Sequence, residues 1–234
     1  MTWLGNNLAW VVELTLQHLL LAGAATVASV LLAVALGRVA YVSPRARQPI
    51  LAAASVVYAV PALPMLIVIP ILLSIPLRSP ATLVVALTLY GTALLVGTVA
   101  DAFDSVDAGV RDSALAMGHG RRALFWRVEL PLAVPVLLSG VRVVTVSTVS
   151  LVTIGALVGI SSLGTLLTDG FQRGITSEIV VGVAMTMALA LLLDALLIAL
   201  GRVLTRWQPR RGRRALRVQA ADAADAADVP VSAR

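Results

Sequence analysis

Long apolar stretches, separated by short polar connections, run through most of the chain. A helix needs about 20 mostly apolar residues to cross a bilayer. Five stretches reach that length, at roughly 10–36, 50–76, 80–103, 132–160 and 178–204. The second carries Pro61, Pro64, Pro70 and Pro76. Proline removes a backbone donor and clashes with the preceding turn. That segment is therefore expected to kink, or to open a re-entrant turn, rather than make two spans. The pattern predicts an all-α integral membrane protein with five transmembrane helices.

The connections differ in charge. Arg38, Arg45 and Arg47 follow the first stretch; Arg111, Arg121, Arg122 and Arg127 lie between the third and fourth. Arg206, Arg210, Arg211, Arg213, Arg214 and Arg217 follow the fifth. The remaining connections hold only Arg78 and Arg173. Arginine accumulates in cytoplasmic loops. This alternation puts residues 1–9 and 161–177 outside, and 37–49, 104–131 and the C-terminus inside. A membrane-spanning unit then covers 10–205, followed by a cytoplasmic tail, 206–234. The tail repeats Ala-Ala-Asp at 220–222, 223–225 and 226–228. It is expected to fray in solvent, with its Arg cluster against anionic lipid headgroups.

Composition removes several function classes. Apolar residues make up 59%, charged residues 13%, and mean hydropathy is +0.95, which is not the profile of a soluble domain. The net charge is +6 and all 18 basic residues are arginine. Loop charge explains this basicity, and 4% aromatic residues are too few for a stacking surface, so no nucleic-acid partner is expected. There is no cysteine, and the two histidines, His18 and His119, are far apart, so neither a metal site nor a cofactor is expected. Glu13 interrupts the N-terminal apolar stretch and no basic segment precedes it, so this stretch does not read as a cleaved secretory signal.

Polar residues inside the spans are candidates for function. Arg142 and Asp194 sit at similar depth in spans four and five and are expected to pair, without a role in substrate choice. Thr145, Ser147, Thr148, Ser150 and Thr153 bond their own helix or line a translocation path. Tyr58 and Tyr90 are further path candidates, since an aromatic face suits a quaternary ammonium. His18 and Glu13 are expected at the outer interface, and His119 at the surface.

The segment 104–131 is too long and too patterned for a simple connection. From Asp107 to Glu129 it reads as helix without proline, interrupted by Gly118 and Gly120. Two short helices joined by a tight bend would form a docking surface beneath the membrane. Asp112-Ser113-Ala114 is followed after three residues by Gly118, and after nine more by Val128-Glu129-Leu130-Pro131. This resembles the "EAA" loop of permease subunits of ATP-binding cassette importers, Glu-Ala-Ala, three residues, Gly, nine residues, Ile, any residue, Leu-Pro. Thr15–Leu19, Leu87–Tyr90, Trp126–Ala133 and Gly155–Gly159 resemble the glycine betaine, choline and carnitine branch. Ile160-Ser161-Ser162-Leu163-Gly164 departs from that branch's Ala-Gly-Gly-Leu-Gly.

The resemblance covers about residues 10–205 and implies a type I importer permease without chemistry of its own, similar in plan to methionine permeases. It implies a second permease subunit, a cytoplasmic ATPase dimer and an extracytoplasmic substrate-binding protein. It assigns ATPase coupling to Asp112, Ser113, Ala114, Met117, Gly118, Val128, Leu130 and Pro131. A chain without lysine cannot carry a Gly-x-x-x-x-Gly-Lys phosphate loop. A methionine or other amino-acid importer is the alternative substrate class, and an ion-gradient-driven transporter the alternative mechanism.

Overall fold

The structure, a computed structural model, describes residues 2–206. The tail expectation for 207–234 lies outside the described residues. Among the described residues nine α-helices follow one another: α1 (Thr2–Val42), α2 (Pro44–Ala59), α3 (Ala62–Leu73), α4 (Pro80–Asp104), α5 (Ala108–Ala116), α6 (Arg121–Leu124), α7 (Leu130–Val152), α8 (Gly164–Arg173) and α9 (Thr176–Leu204). A π-helical turn, Phe125–Glu129, joins α6 to α7, and a 3₁₀ segment, Thr153–Val158, extends α7. No strand occurs among the described residues.

Among the described residues four helical stretches are long and apolar enough to cross a membrane: Trp3–Val42, Pro80–Asp104, Arg121–Val158 and Thr176–Leu204. The helix α1 begins at Thr2, not near residue 10, and its 41 residues reach about 60 Å at 1.5 Å per residue. The fifth candidate is the broken pair α2 and α3, bent by 110°, which has the form of a broken span or a re-entrant turn. Pro61 causes the break. It has no N–H to donate and forces Val60 into extended backbone, at φ −70° and ψ 126°. One proline-rich segment thus gives two helices of different direction.

Small residues hold the crossings together. Ala22, Ala25, Ser29, Ala33 and Ala40 form a buried seam on α1. Gly37 of α1 meets Val99, and Gly91 of α4 meets Ser29. The Ser29 hydroxyl donates to the Ala25 carbonyl at 2.7 Å and lies 3.2 Å from that of Thr88. In lipid, where apolar contact alone gives no preference for protein, such close backbone approach favours association. Gly140 brings α7 against Leu95 and Thr98 of α4 in the same way. By contrast, α9 buries little beyond Glu178, Gly182 and Leu189, so most of its surface faces away from the chain.

His18 is fully buried, with Nε2 3.0 Å from the Val149 carbonyl oxygen of α7. It joins two crossings and is not an interfacial residue; Glu13 is exposed and accepts from Gln17 Nε2 at 3.2 Å. The connection 161–177, to which the sequence pattern assigns no element, contains α8. Ser162 starts it: its Oγ accepts from the Gly164 amide at 3.1 Å, and its own amide donates to Thr165 Oγ1 at 3.2 Å. Gly164 packs on the Thr153 backbone, leaving no room for a side chain.

Candidate functional site

The segment 104–131 has one separate short helix, α5, and one stretch that belongs to a crossing. The Asp107 carboxylate caps α5 by accepting from the Val110 amide at 3.2 Å. Gly118, at φ +83°, ends α5 with a left-handed turn, and its amide donates to the Leu115 carbonyl at 2.9 Å. The His119 amide donates to the Ala114 carbonyl at 3.1 Å, and the His119 ring Nδ1 lies 3.1 Å from the same oxygen. Beyond Gly120 the chain does not form a second separate helix. It runs through α6 and the π-turn into α7, and Leu130-Pro131 does not stop it. The π-turn explains this. The Leu130 amide reaches back five residues to the Phe125 carbonyl, a wider turn placed just before Pro131, which has no N–H to donate.

The family-pattern residues separate by exposure. Asp112, Ser113, Met117 and Gly118 are exposed, Met117 by 72%, whereas Ala114 is buried under α5. Ser113 Oγ donates to the Gly109 carbonyl at 2.7 Å. Val128, Leu130 and Pro131 are half-buried at the start of the crossing. The exposed set presents a surface, while the half-buried set joins that surface to α7.

A charged cluster ties α5 to the membrane helices. The Glu129 carboxylate, only 3% exposed, lies 2.8 Å from Arg38 Nη1 of α1 and 3.4 Å from Arg111 Nε of α5. These are ion-pair distances without hydrogen-bond alignment. Arg111 Nη2 donates to the Phe103 carbonyl at the end of α4. The Arg38 guanidinium lies 5.1, 5.4 and 4.8 Å from the rings of Tyr41, Phe103 and Phe125. Arg111 lies 5.2 Å from Tyr41. Beside this cluster, Arg47 of α2 pairs with Asp104 at 2.7 Å and Asp101 at 3.3 Å. Sequence reading placed these arginines in loops and missed the cluster, because its members are brought together from four distant segments.

The path candidates fall into separate groups. Tyr58 and Tyr90 pack with ring centroids 5.2 Å apart, and Tyr90 Oη donates to the Tyr58 carbonyl at 3.2 Å. On α7, Thr145 and Thr148 are buried and Ser147 is half-buried. Ser150 and Thr153 line a groove of about 430 Å³ with Leu167, Val183, Thr186 and Met187, to which neither tyrosine contributes. Thr145, Ser150, Thr153 and Thr186 all donate to carbonyls of their own helices. Each keeps its oxygen lone pairs available to a second partner. Arg142 and Asp194 meet in a two-bond pair, Nε to Oδ1 at 2.7 Å and Nη2 to Oδ2 at 2.8 Å. No metal-ligating cluster occurs among the described residues.

These apolar helices, with the short α5 between α4 and α7, make a helical membrane protein. Residues 25–213 match the family described as the binding-protein-dependent transport system inner membrane component, and the chain belongs to it. The osmoprotectant import permease protein OsmW of Salmonella typhimurium is 30% identical, over 86% of this chain and 94% of its own length. The glycine betaine/carnitine/choline transport system permease protein OpuCD of Bacillus subtilis is 24% identical, over 90% and 91%. In fold, the chain is similar to the inward-facing MetNI methionine ABC transporter, with a TM-score of 0.75 at 17% identity, covering 85% of this chain and 98% of that one.

Proposed function

We propose that this chain is the permease subunit of an ATP-driven importer for a quaternary-amine osmoprotectant such as glycine betaine, choline or carnitine. A separate cytoplasmic ATPase dimer docks on α5, a second permease subunit completes the pore, and an extracytoplasmic binding protein delivers the solute. The N-terminus lies outside and the C-terminus in the cytoplasm.

The observation that carries this reading is the tethered α5. Its outer face exposes Asp112, Ser113 and Met117, and its inner face is pinned through Arg111 to Glu129. A helix held this way passes a push from below into α1 and α7. The named relatives support the osmoprotectant class, because full-length similarity is to permeases named for osmoprotectants and carnitine. Likeness to the methionine transporter is a likeness of fold. Substrate passes as a solute and no bond of it is broken; work comes from the ATPase.

Affinity capture of the tagged chain from its native membrane tests the assembly. Recovery of an ATP-binding cassette ATPase and a solute-binding protein is the expected result. A chain that purifies alone and catalyses ion-gradient-driven uptake would overturn it.

A further inference from the structure

We propose that Arg142 and Asp194 form a zwitterion-binding site on the translocation path, rather than only a tie between helices. The inference deepens the osmoprotectant reading and rests on it. Four observations carry it.

The first is depth. Asp194 lies ten residues from the end of α9 at Leu204, and Arg142 twelve from the start of α7 at Leu130. At 1.5 Å per residue both are about 15–18 Å into their crossings, near mid-membrane.

The second is exposure at that depth. The Arg142 side chain is 40% exposed from this chain and that of Asp194 23%. Ionisable groups at mid-membrane turn toward protein or a watery cavity, not toward acyl chains. The α7–α9 face bearing them therefore looks onto the path.

The third is position. Val146 and Ser150 stand one and two turns outward from Arg142, and Ala190 and Leu191 one turn outward from Asp194. All four line the groove that also holds Thr153 and Thr186. The pair itself does not line the groove; it lies one helical turn beyond Val146, Ala190 and Leu191, on the same α7–α9 side.

The fourth is chemistry. The pair uses Nε and Nη2 of Arg142 and leaves Nη1 outside both bonds. A guanidinium accepts a carboxylate in place of Asp194 with the same fork geometry. A quaternary ammonium has no N–H, so it asks only for a negative charge and apolar walls. Asp194 supplies the charge, and Val146, Ala190 and Leu191, one turn outward, the nearest apolar walls. A zwitterion entering the pair leaves the site neutral both empty and full, so no bare ion is stranded. On departure the internal pair re-forms, which keeps the solute from being held. A cation without a carboxylate would leave Arg142 unpartnered, so betaine and carnitine are favoured over choline.

The test uses the chain reconstituted with its ATPase and binding protein. The double variant Arg142→Met/Asp194→Leu strands neither charge. It should assemble and hydrolyse ATP, while betaine uptake falls at least about tenfold. Uptake within about twofold of the parent would reduce the pair to a structural tie. Should the double variant fail to assemble, Val146→Cys in the otherwise unchanged chain decides. A charged, membrane-impermeant thiol reagent should label it, and betaine should slow the labelling. Reaction only with a lipid-soluble reagent would put this face on lipid and overturn the proposal. If the parent complex carries methionine and not betaine, the osmoprotectant reading fails separately. Methionine, also a zwitterion, then serves as the protecting solute: protection of Val146→Cys upholds the pair as a zwitterion site, and no protection sinks it.

Discussion

Glu129→Gln removes one negative charge from between two guanidiniums with little change in side-chain volume. Glu129 is 3% exposed, so the parent carboxylate has almost no water and depends on Arg38 and Arg111. Removing one partner of a buried ion pair costs about 3–5 kcal/mol, chiefly because the other charge is left uncompensated. Two features lower that figure here. The Arg38 and Arg111 side chains keep 25% and 19% exposure, so water reaches part of each. Arg38 also keeps three aromatic rings within 5.4 Å, and such contacts contribute about 0.5–1 kcal/mol each where water is near. The expected loss is therefore about 2–3 kcal/mol, felt where α5 meets α1 and α7. Denaturant unfolding of the purified chain in detergent measures it, with hydrogen exchange of 108–116 showing where it falls. Adding Arg38→Gln to Glu129→Gln should cost less than the two single losses summed, because the groups are in contact. A Glu129→Gln loss under about 0.5 kcal/mol, or strict additivity, would refute the tether.

Gly118→Val forces a β-branched residue into the left-handed region at φ +83°, costing about 1–2 kcal/mol or more. The ATPase should no longer co-purify while the crossings still insert, and Gly118→Asn, which tolerates that backbone, should retain it. Gly164→Ala places a methyl on the Thr153 carbonyl; α8 must shift, and proteolysis between α7 and α9 should become faster than in the parent. For orientation, Phe171→Cys and Met117→Cys are informative because both sites are exposed, at 81% and 72%. An impermeant thiol reagent added to intact cells should label the first and not the second; the reverse pattern would invert the topology.

Crossings were the most legible feature, because a bilayer demands long apolar runs and these leave a plain trace in sequence. The second segment was legible as irregular: Pro61 marks the break, but the 110° bend is not written in the spacing of the prolines. The helix α8 was missed because its ten residues, Gly164–Arg173, are too few and too polar to register as a crossing. Its signal is there in hindsight, with Leu163, Leu166 and Gly170 buried at helical spacing after Ser162. The coupling pattern located α5 and its Gly118 bend, yet suggested a second short helix that instead runs into α7. A proline after a helical stretch reads as a stop, yet Pro131, like Pro135, is taken into the helix here, Pro131 next to the π-turn. His18 looked interfacial since histidine is polar; its burial follows from a backbone carbonyl on α7, a partner sequence spacing cannot reveal. The Arg38–Glu129–Arg111 cluster was illegible for the same reason, its members being joined by the fold alone.

Labelled glycine betaine uptake tests the central claim most directly. Proteoliposomes carry the chain with its ATPase inside and its binding protein outside, with ATP enclosed or omitted, and methionine runs in parallel. The account predicts betaine accumulation that needs both ATP and the binding protein, undiminished by excess methionine. Betaine accumulation by the chain alone, driven by an ion gradient without ATP, would contradict it.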